Sequence, residues 1–409
     1  MLVKPLAECR AVLFVNQQIK YDPATDQYSS DYTNLIDFLF KASSIFKELH
    51  ICLPVGEGTG RTTHDLPANV RIIHLPFYHG PTDLLRSIHR VVPRLLHIVR
   101  SEPVRQADII GTVAPSTLGA ITVPISYYVY GKPHFLLMRG DKRKTVAART
   151  DGALLRSLLI GTPIKAYDQL FGKMSFNDDV VLLTIGDLSD AIGGYGYDAD
   201  SAHVITPLVP EELLVDEPTV SDHATDLLYV GRLSEEKAID DLLRGFQRLD
   251  TRDDTVHLHV VGSGPSATQL KQLAAQLGIT DAVTFHGFVP KGPDLWAYFD
   301  DADIFVLPSQ TEGLPRVVAE AMARGLPVVT TAVGGLPELI DHGRNGMLVD
   351  PRNVDVLMDT IETVREDANL RFHLATEGQK TATQLTFEAN RQRLLEILSR
   401  ALCKSDPQS

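Results

Sequence analysis

Arg232, Lys237, Glu312 and Glu320 are the side chains whose types and settings point most directly to chemistry. Gly231-Arg232-Leu233-Ser234-Glu235-Glu236-Lys237 follows the apolar run DLLYV and leads into a helical pattern. An arginine fork and a lysine point charge beside the free amides of a helix start can hold a diphosphate. Surface cations paired with Glu235 and Glu236 would leave the same trace in the sequence. Gly262-Ser263-Gly264-Pro265 is a second strand-to-helix turn with a close-approach glycine pair. It lacks the third glycine of a dinucleotide fingerprint, so a tight turn explains it equally well.

A further such turn, Pro308-Ser309-Gln310-Thr311-Glu312-Gly313-Leu314-Pro315, precedes the helical run RVVAEAMA. Amides from Gly313 and Leu314 onward would emerge at a helix N-terminus, a natural place for an anion. Pro315 fits the first helical turn, where its missing N–H costs little. On that helix Arg316, Glu320 and Arg324 recur every four residues. The plain reading is a stripe of ion pairs on a solvated face, worth only a few tenths of a kcal/mol each. Glu312 would then be an acid favoured by the helix dipole.

These turns are placed by the elements around them. From residue 226 onward short β-branched runs alternate with helical patterns: DLLYVGRL, HLHVVGSG, VTFHGFV, IFVLPS and PVVTTAVGG read as strands, each followed by a helix. Five strands in one direction with crossover helices make a Rossmann-like sheet, in which ligands gather beyond the carboxyl ends of the strands. The first half shows the same alternation less regularly, through AVLFVNQ, a helix from about Thr33 to Phe46, HICLPVG, VRIIHLP, ADIIGTVA and KPHFLLMRG. The proline-rich, aperiodic stretch 204–222 reads as the connection between the two, and FEANRQRLLEILSRAL as a closing amphipathic helix.

At 409 residues, 44% hydrophobic and 22% charged, the chain suits two soluble globular domains. Its net charge of −13 is unevenly spread: residues 1–205 hold 21 Lys/Arg against 20 Asp/Glu, and the remainder 18 against 32. The acidic half argues against double-stranded nucleic acid as a partner. No apolar run reaches the roughly 18 residues needed to span a membrane, and MLVKPLAECR lacks a signal-peptide core. A cytoplasmic location is the expectation. Cys9, Cys52 and Cys403 are too scattered for a zinc site or disulfide framework and read as free thiols. Asp178-Asp179 and Asp300-Asp301 read as solvated charge rather than metal ligands.

As a set, GRLSEEKAID, LHVVGSGP, VTFHGFV, IFVLPS, TEGLPRVVAEAMARG, PVVTTAVGGLPELI and HGRNGMLVDP, spanning residues 226–352, resemble the nucleotide-binding domain of family 4 retaining glycosyltransferases (glycosyl transferases group 1). The resemblance implies the GT-B fold, two facing Rossmann-like domains with parallel sheets and a C-terminal helix closing the chain. It implies that Glu312 meets the donor sugar, Glu320 the ribose, and Arg232 and Lys237 the diphosphate. Gly231, Gly262, Phe288, Gly313 and Leu314 would line the donor site, the turn after Phe288 lying near the base. On this basis the domains are expected at 1–205 (acceptor side), 206–222 (linker) and 223–385 (nucleotide sugar), with 386–409 a helix packing back on the first domain.

The first domain resembles the family less. Asn16-Gln17-Gln18 stands where the family often has a glycine-rich loop, and Gly140-Asp141 where it often has His-Asp. Arg139 and Asp141 are the acceptor-side candidates, and His134 reads as a satisfied histidine at a strand start. Lys142-Arg143-Lys144 is either an acceptor contact or a solvated loop. LLRSIHRVVPRLLHIVR (84–100) sets Arg86, Arg90, Arg94 and His97 beside an apolar stripe. It fits peripheral contact with an anionic membrane or lipid-diphosphate acceptor, or a surface helix packed by its apolar side. The expected function is transfer of a sugar from a nucleotide diphosphate sugar to a glycan, lipid-linked or small acceptor, with retention and without a metal or other cofactor. A degenerate donor-binding partner subunit and a GT-B epimerase or hydrolase are the alternatives.

Overall fold

A computed structural model of the chain describes residues 4–30, 34–60, 62–78, 81–114, 122, 129–138, 180–185, 202–205, 209–250 and 256–404. The chain divides into two compact units, Met1–Thr206 with Arg391–Ser409, and Pro207–Asn390.

The first unit is built on one sheet. Parallel strands β1 (Arg10–Phe14), β4 (Glu48–Glu57), β6 (Val70–Pro76), β7 (Ile109–Ala114), β8 (His134–Met138), β9 (Val180–Ile185) and β10 (Ala202–Ile205) run in the order β10-β9-β8-β7-β1-β4-β6. Their residues are apolar in unbroken runs, such as Ala11-Val12-Leu13-Phe14, because a parallel sheet is covered on both faces. At the carboxyl end of β4 the sheet acquires a second branch that the sequence pattern does not show. Strand β2 (Ile19–Asp22) joins β4 in parallel at Val55–Glu57, and β3 (Gln27–Ser30) and β5 (Thr62–His64) add on antiparallel. The Asn16-Gln17-Gln18 segment therefore leads into a hairpin before helix α1 (Asn34–Ala42).

Helix α2 (Pro81–Val99) carries the basic segment, followed by the short α3 (Glu102–Gln106). Val91, Leu95, Ile98 and Val99 are buried against Val12, Phe14, Cys52 and Leu75, so the apolar stripe of α2 is used by the core. Arg90, Arg94, His97 and Arg100 remain on the outside.

The second unit has a six-stranded parallel sheet of β11 (Asp226–Val230), β12 (His257–Val261), β13 (Val283–Gly287), β14 (Ile304–Leu307), β15 (Val328–Thr331) and β16 (Met347–Val349). Their order is β13-β12-β11-β14-β15-β16, the Rossmann arrangement, whose direction reverses between β11 and β14. Strand β16 is not legible in the sequence, since three residues are too few to show a period. The crossovers are α4 (Ile239–Asp250), α5 (Ala267–Leu277), α6 (Pro293–Asp301), α7 (Arg316–Ala323) and α8 (Leu336–Leu339), and α9 (Val354–Glu366) with α10 (Ala368–Gln384) completes the layer. Helix α7 is buried from Val318 to Ala323. Residues ahead of β11 belong to this unit: Leu213 is fully buried and the amide of Val215 donates to Ala323 O. Helix α11 (Phe387–Lys404) runs from this unit into residues grouped with the first, where Leu394 and Leu398 line a cavity of about 30 Å³ with Leu13, Leu39 and Phe46.

Candidate functional site

At the carboxyl edge of the second sheet the ends of β11, β12 and β13 are tied together by backbone. Gly231 donates to Val261 O (3.0 Å), Gly262 to Gly287 O (2.7 Å) and Leu233 to Ser263 O (3.1 Å). The two glycines of the second turn are there because the strand ends come so close. A Cβ on Gly262, at φ +143°, would lie 1.8 Å from Gly231 O, and one on Gly264 2.2 Å from Leu233 O. The Tyr229 hydroxyl, buried within this corner, donates to Arg232 O (3.0 Å). Burial first, then the Glu312 and Glu236 charges, hold that phenol protonated well above its usual range.

Lys237 closes a single 3-10 turn, Glu235–Lys237, before Ala238 turns left-handed (φ 49°) into α4. Its Nζ reaches Glu312 Oε1 at 2.5 Å, while Glu236 accepts from the Ser234 hydroxyl (2.7 Å) and Glu236 O from the Gln310 amide (2.9 Å). The expected alternative, in which Lys237 pairs with its neighbouring glutamates, is therefore not what forms. Arg232 is exposed and, among the described residues, has no side-chain hydrogen-bond or ion-pair partner. Lys237 and Glu312, far apart in sequence, meet because β11 and β14 are adjacent where strand order reverses.

Glu312 has a second anchor. Ser309, fully buried, donates from Oγ to Glu312 Oε1 (2.6 Å), and Ser309 O accepts from Thr331 Oγ1 (2.5 Å). The loop after β15 supports the same place: Gly335 donates to Gly313 O (2.8 Å), and a Cβ on Gly334 (φ +58°) would strike Glu312 O at 2.2 Å. At Gly313 itself a Cβ would meet nothing within 4 Å, so the space beside it is open. Pro315 is the residue capping α7 rather than its first helical residue, so it takes none of the helix amides away.

Glu320 departs from the expected solvated stripe. It is 9% exposed, with Lys291 Nζ 3.3 Å and Arg316 Nε 4.0 Å from Oε1. Arg324 turns instead to Asp300, at 2.7 Å from Nε, and to Leu213 O (3.4 Å). Asp300, read as solvated charge, is thus a tie between α6 and α7. Lys291, on the loop after β13, also lies 5.7 Å from the centre of the Trp296 ring. Phe288 on the same loop is 51% exposed, and Leu314 packs at the edge of the core.

The structure thus brings Gly231, Lys237, Gly262, Glu312 and Gly313 onto the loops at one edge of the sheet, with Arg232 exposed and Glu320 one turn into α7 beside Lys291. Ser309 and Lys291 escape sequence reasoning. Ser309 sits three residues before Glu312 in the same loop, a signal that was available; Lys291 has no local spacing that links it to Glu320. Among the described residues no three His, Cys, Asp or Glu side chains cluster as a metal site.

In the first unit Arg139, Asp141, Lys142-Arg143-Lys144 and Asp178-Asp179 lie outside the described residues. His134 is fully buried at the first residue of β8, its Nε2 3.2 Å from Thr112 Oγ1, and burial pushes its pKa down to about 3. It is a neutral core histidine at the end of the strand away from the carboxyl edge. After β1, the Tyr78 hydroxyl donates to Asn16 Oδ1 and Gln18 Nε2 donates to Tyr78 O (2.5 Å), so this loop is pinned by side chains rather than left open.

Residues 214–381 match the family model described as glycosyl transferases group 1. A Haemophilus influenzae protein named only as an uncharacterized glycosyltransferase is 33% identical over 178 residues, 43% of this chain and 50% of that one. D-inositol 3-phosphate glycosyltransferase of Thermomonospora curvata is 31% identical over 247 residues, 55% of this chain and 57% of that enzyme. The chain thus spans about half the length of these curated relatives. Among solved structures, HepE of Anabaena in complex with UDP is 19% identical, with a TM-score of 0.69 over 95% of this chain and 99% of its own. The likeness is one of fold, and the expected GT-B architecture of two Rossmann-like domains is borne out. No described helix is long and apolar enough to cross a membrane.

Proposed function

We propose that this chain, whose residues 214–381 are a glycosyl transferases group 1 domain, transfers a sugar from a nucleotide diphosphate sugar to an acceptor with retention of anomeric configuration. The observation that carries the reading is the convergence of Lys237 and Glu312 at 2.5 Å beside the start of α7, where the sheet order reverses. A ligand is expected at that point of an open α/β sheet. Loss of a nucleoside diphosphate from the anomeric carbon builds negative charge on phosphate and oxocarbenium character on the sugar. Arg232, Lys237 and the amides following Glu312 are the positive groups for the first, and the Glu312 carboxylate orients the second. The acceptor hydroxyl attacks on the face the diphosphate leaves, and a phosphate oxygen takes its proton.

The cations and helix amides supply the charge a metal would otherwise bring, so chelation with EDTA should leave turnover unchanged. Glu320, buried beside Lys291, is assigned to the ribose, and Gly262 and Phe288 to the base. The acceptor is assigned to residues 1–205, with Arg139 and Asp141 as its candidate contacts. The exposed cations of α2 suit an anionic glycan or lipid-linked acceptor, or electrostatic contact with a membrane surface, since its apolar side is buried.

The test is a panel of UDP-, GDP- and ADP-sugars screened for thermal stabilisation. A ligand at about 100 times its Kd adds roughly 2.7 kcal/mol. Donor consumption is then measured with Arg232→Ala, Lys237→Ala and Glu312→Ala. Each should abolish transfer while leaving the fold intact; full activity in all three would overturn the assignment. The pinned Asn16–Gln18 loop favours a second reading, a donor-binding subunit without acceptor chemistry. It would show as binding without turnover on any extract.

A further inference from the structure

We infer that the Lys237–Glu312 ion pair is exchangeable, the nucleoside diphosphate taking Lys237 from Glu312, so that Glu312 limits how tightly the diphosphate is held and promotes its release after transfer. This rests on the nucleotide-sugar reading above.

The two cations of the site are in different states. Arg232 is exposed and uncommitted among the described residues, whereas Lys237 Nζ lies 2.5 Å from Glu312 Oε1. The side chains of that pair are 19% and 8% exposed, so water screens it poorly and the lysine is held. A diphosphate that draws on Lys237 as a point charge therefore competes with a carboxylate already in place. Arg232 feels the charge of Glu236 but makes no hydrogen bond or ion pair with it.

The carboxylate can release its lysine without being orphaned. Ser309 Oγ donates to the same oxygen at 2.6 Å, and Ser309 is itself fixed by burial and by the Thr331 hydroxyl bonded to its carbonyl. Glu312 thus keeps one hydrogen bond and its position over the sugar while Lys237 turns to the phosphates. When the sugar has gone, the free carboxylate draws Lys237 back, weakening the hold on the remaining diphosphate. Ser309 is on this account a positioning residue, acting through Glu312.

The consequence is unusual for a catalytic carboxylate: removing its charge should strengthen product binding. Glu312→Gln keeps the size of the side chain and an acceptor oxygen for Ser309 but, without the charge, competes only weakly for the ammonium. UDP, GDP and ADP are titrated by calorimetry into the wild-type chain, Glu312→Gln, Lys237→Met and the double variant, with melting curves as the folding control. Weak variants are followed by thermal shift at millimolar nucleotide. The nucleotide that binds the wild type should bind Glu312→Gln roughly tenfold more tightly, the size of a charged hydrogen bond exchanged. In the Lys237→Met background the gain should vanish.

A gain of equal size in both backgrounds would mean simple repulsion between Glu312 and phosphate, and would overturn the exchange. Unchanged or weaker binding by Glu312→Gln would overturn it too, leaving the nucleotide-sugar reading intact. If none of the three nucleotides binds the wild type, that reading itself fails.

Discussion

Gly262→Ala isolates the geometry that holds the site together. The new methyl would sit 1.8 Å from Gly231 O, at a backbone φ of +143° that side chains rarely adopt. Carbon and oxygen need more than about 3 Å, so the strand-end turns of β11 and β12 must part by over an ångström. The bonds at stake are Gly231 N–H to Val261 O and Gly262 N–H to Gly287 O. Backbone strain of about 1–3 kcal/mol and overpacking of similar size give a loss of roughly 2–6 kcal/mol. In a domain of 150–250 residues each kcal/mol moves Tm by about 2–4 °C, so a drop on the order of 10 °C is expected. Gly313→Ala is the control, since a methyl there meets nothing within 4 Å and its φ is not positive. It should leave Tm unchanged and, if a phosphate approaches the backbone here, weaken nucleotide binding. Scanning calorimetry with and without nucleotide reads both quantities. Equal melting temperatures for Gly262→Ala and the wild type would refute the close-approach argument.

Other consequences are open to measurement. Glu320→Ala should weaken binding of the cognate nucleoside diphosphate about tenfold and remove its advantage over the 2′,3′-dideoxy analogue; a retained advantage in calorimetry would separate Glu320 from the ribose. Tyr298 OH, His286, His259 and Asp226 form a chain in which His286 Nδ1 is 3.2 Å from the phenol, the imidazoles meet at 3.1 Å and His259 Nε2 is 3.0 Å from Asp226 Oδ1. The imidazole–imidazole bond needs one unprotonated ring nitrogen, so the two rings cannot both be charged, and burial followed by the His259 charge lowers the His286 pKa. The stabilisation is therefore full above the usual histidine range, about pH 6.5, and is lost as pH falls through the lowered value; Tm should drop on acidification, less so in His286→Gln. Arg371, 1% exposed, donates to Val364 O, Ser221 O and Asp222 O, so Arg371→Met should cost about 3 kcal/mol in urea unfolding by stranding those carbonyls. Arg90→Glu with Arg94→Glu should abolish co-sedimentation with anionic vesicles if α2 meets a membrane, with no loss of Tm because both side chains are exposed.

The second unit was legible because its information is local. Each strand of β11 to β15 is a short apolar run followed by a turn and a helix, and parallel strands covered on both faces must read that way. The first unit hid its hairpin because β2 and β3 are short and half-polar, with no alternation long enough to count. Their reason for pairing, the protruding carboxyl end of β4, lies elsewhere in the chain. Within the site, the glycine turns and the cations near helix starts could be found one stretch at a time. The Lys237–Glu312 and Lys291–Glu320 pairs could not, since each joins loops of different strands and depends on sheet order.

Glu320 shows where local reasoning misled and how it could have been corrected. Arg316, Glu320 and Arg324 repeat at the spacing of a surface ion-pair stripe, and such stripes usually face water. The rest of the same helix, however, is Val317, Val318, Ala319, Ala321, Met322 and Ala323, apolar nearly all round. A helix apolar on every other face is an interior one. A carboxylate on it is consequently enclosed, and an enclosed carboxylate needs partners it cannot draw from solvent. The requirement is met by Lys291 from the neighbouring loop and more distantly by Arg316, while Arg324, one turn on, is taken by Asp300. The composition of the helix outweighs the spacing of its charges: an acid on such a helix marks an internal polar contact.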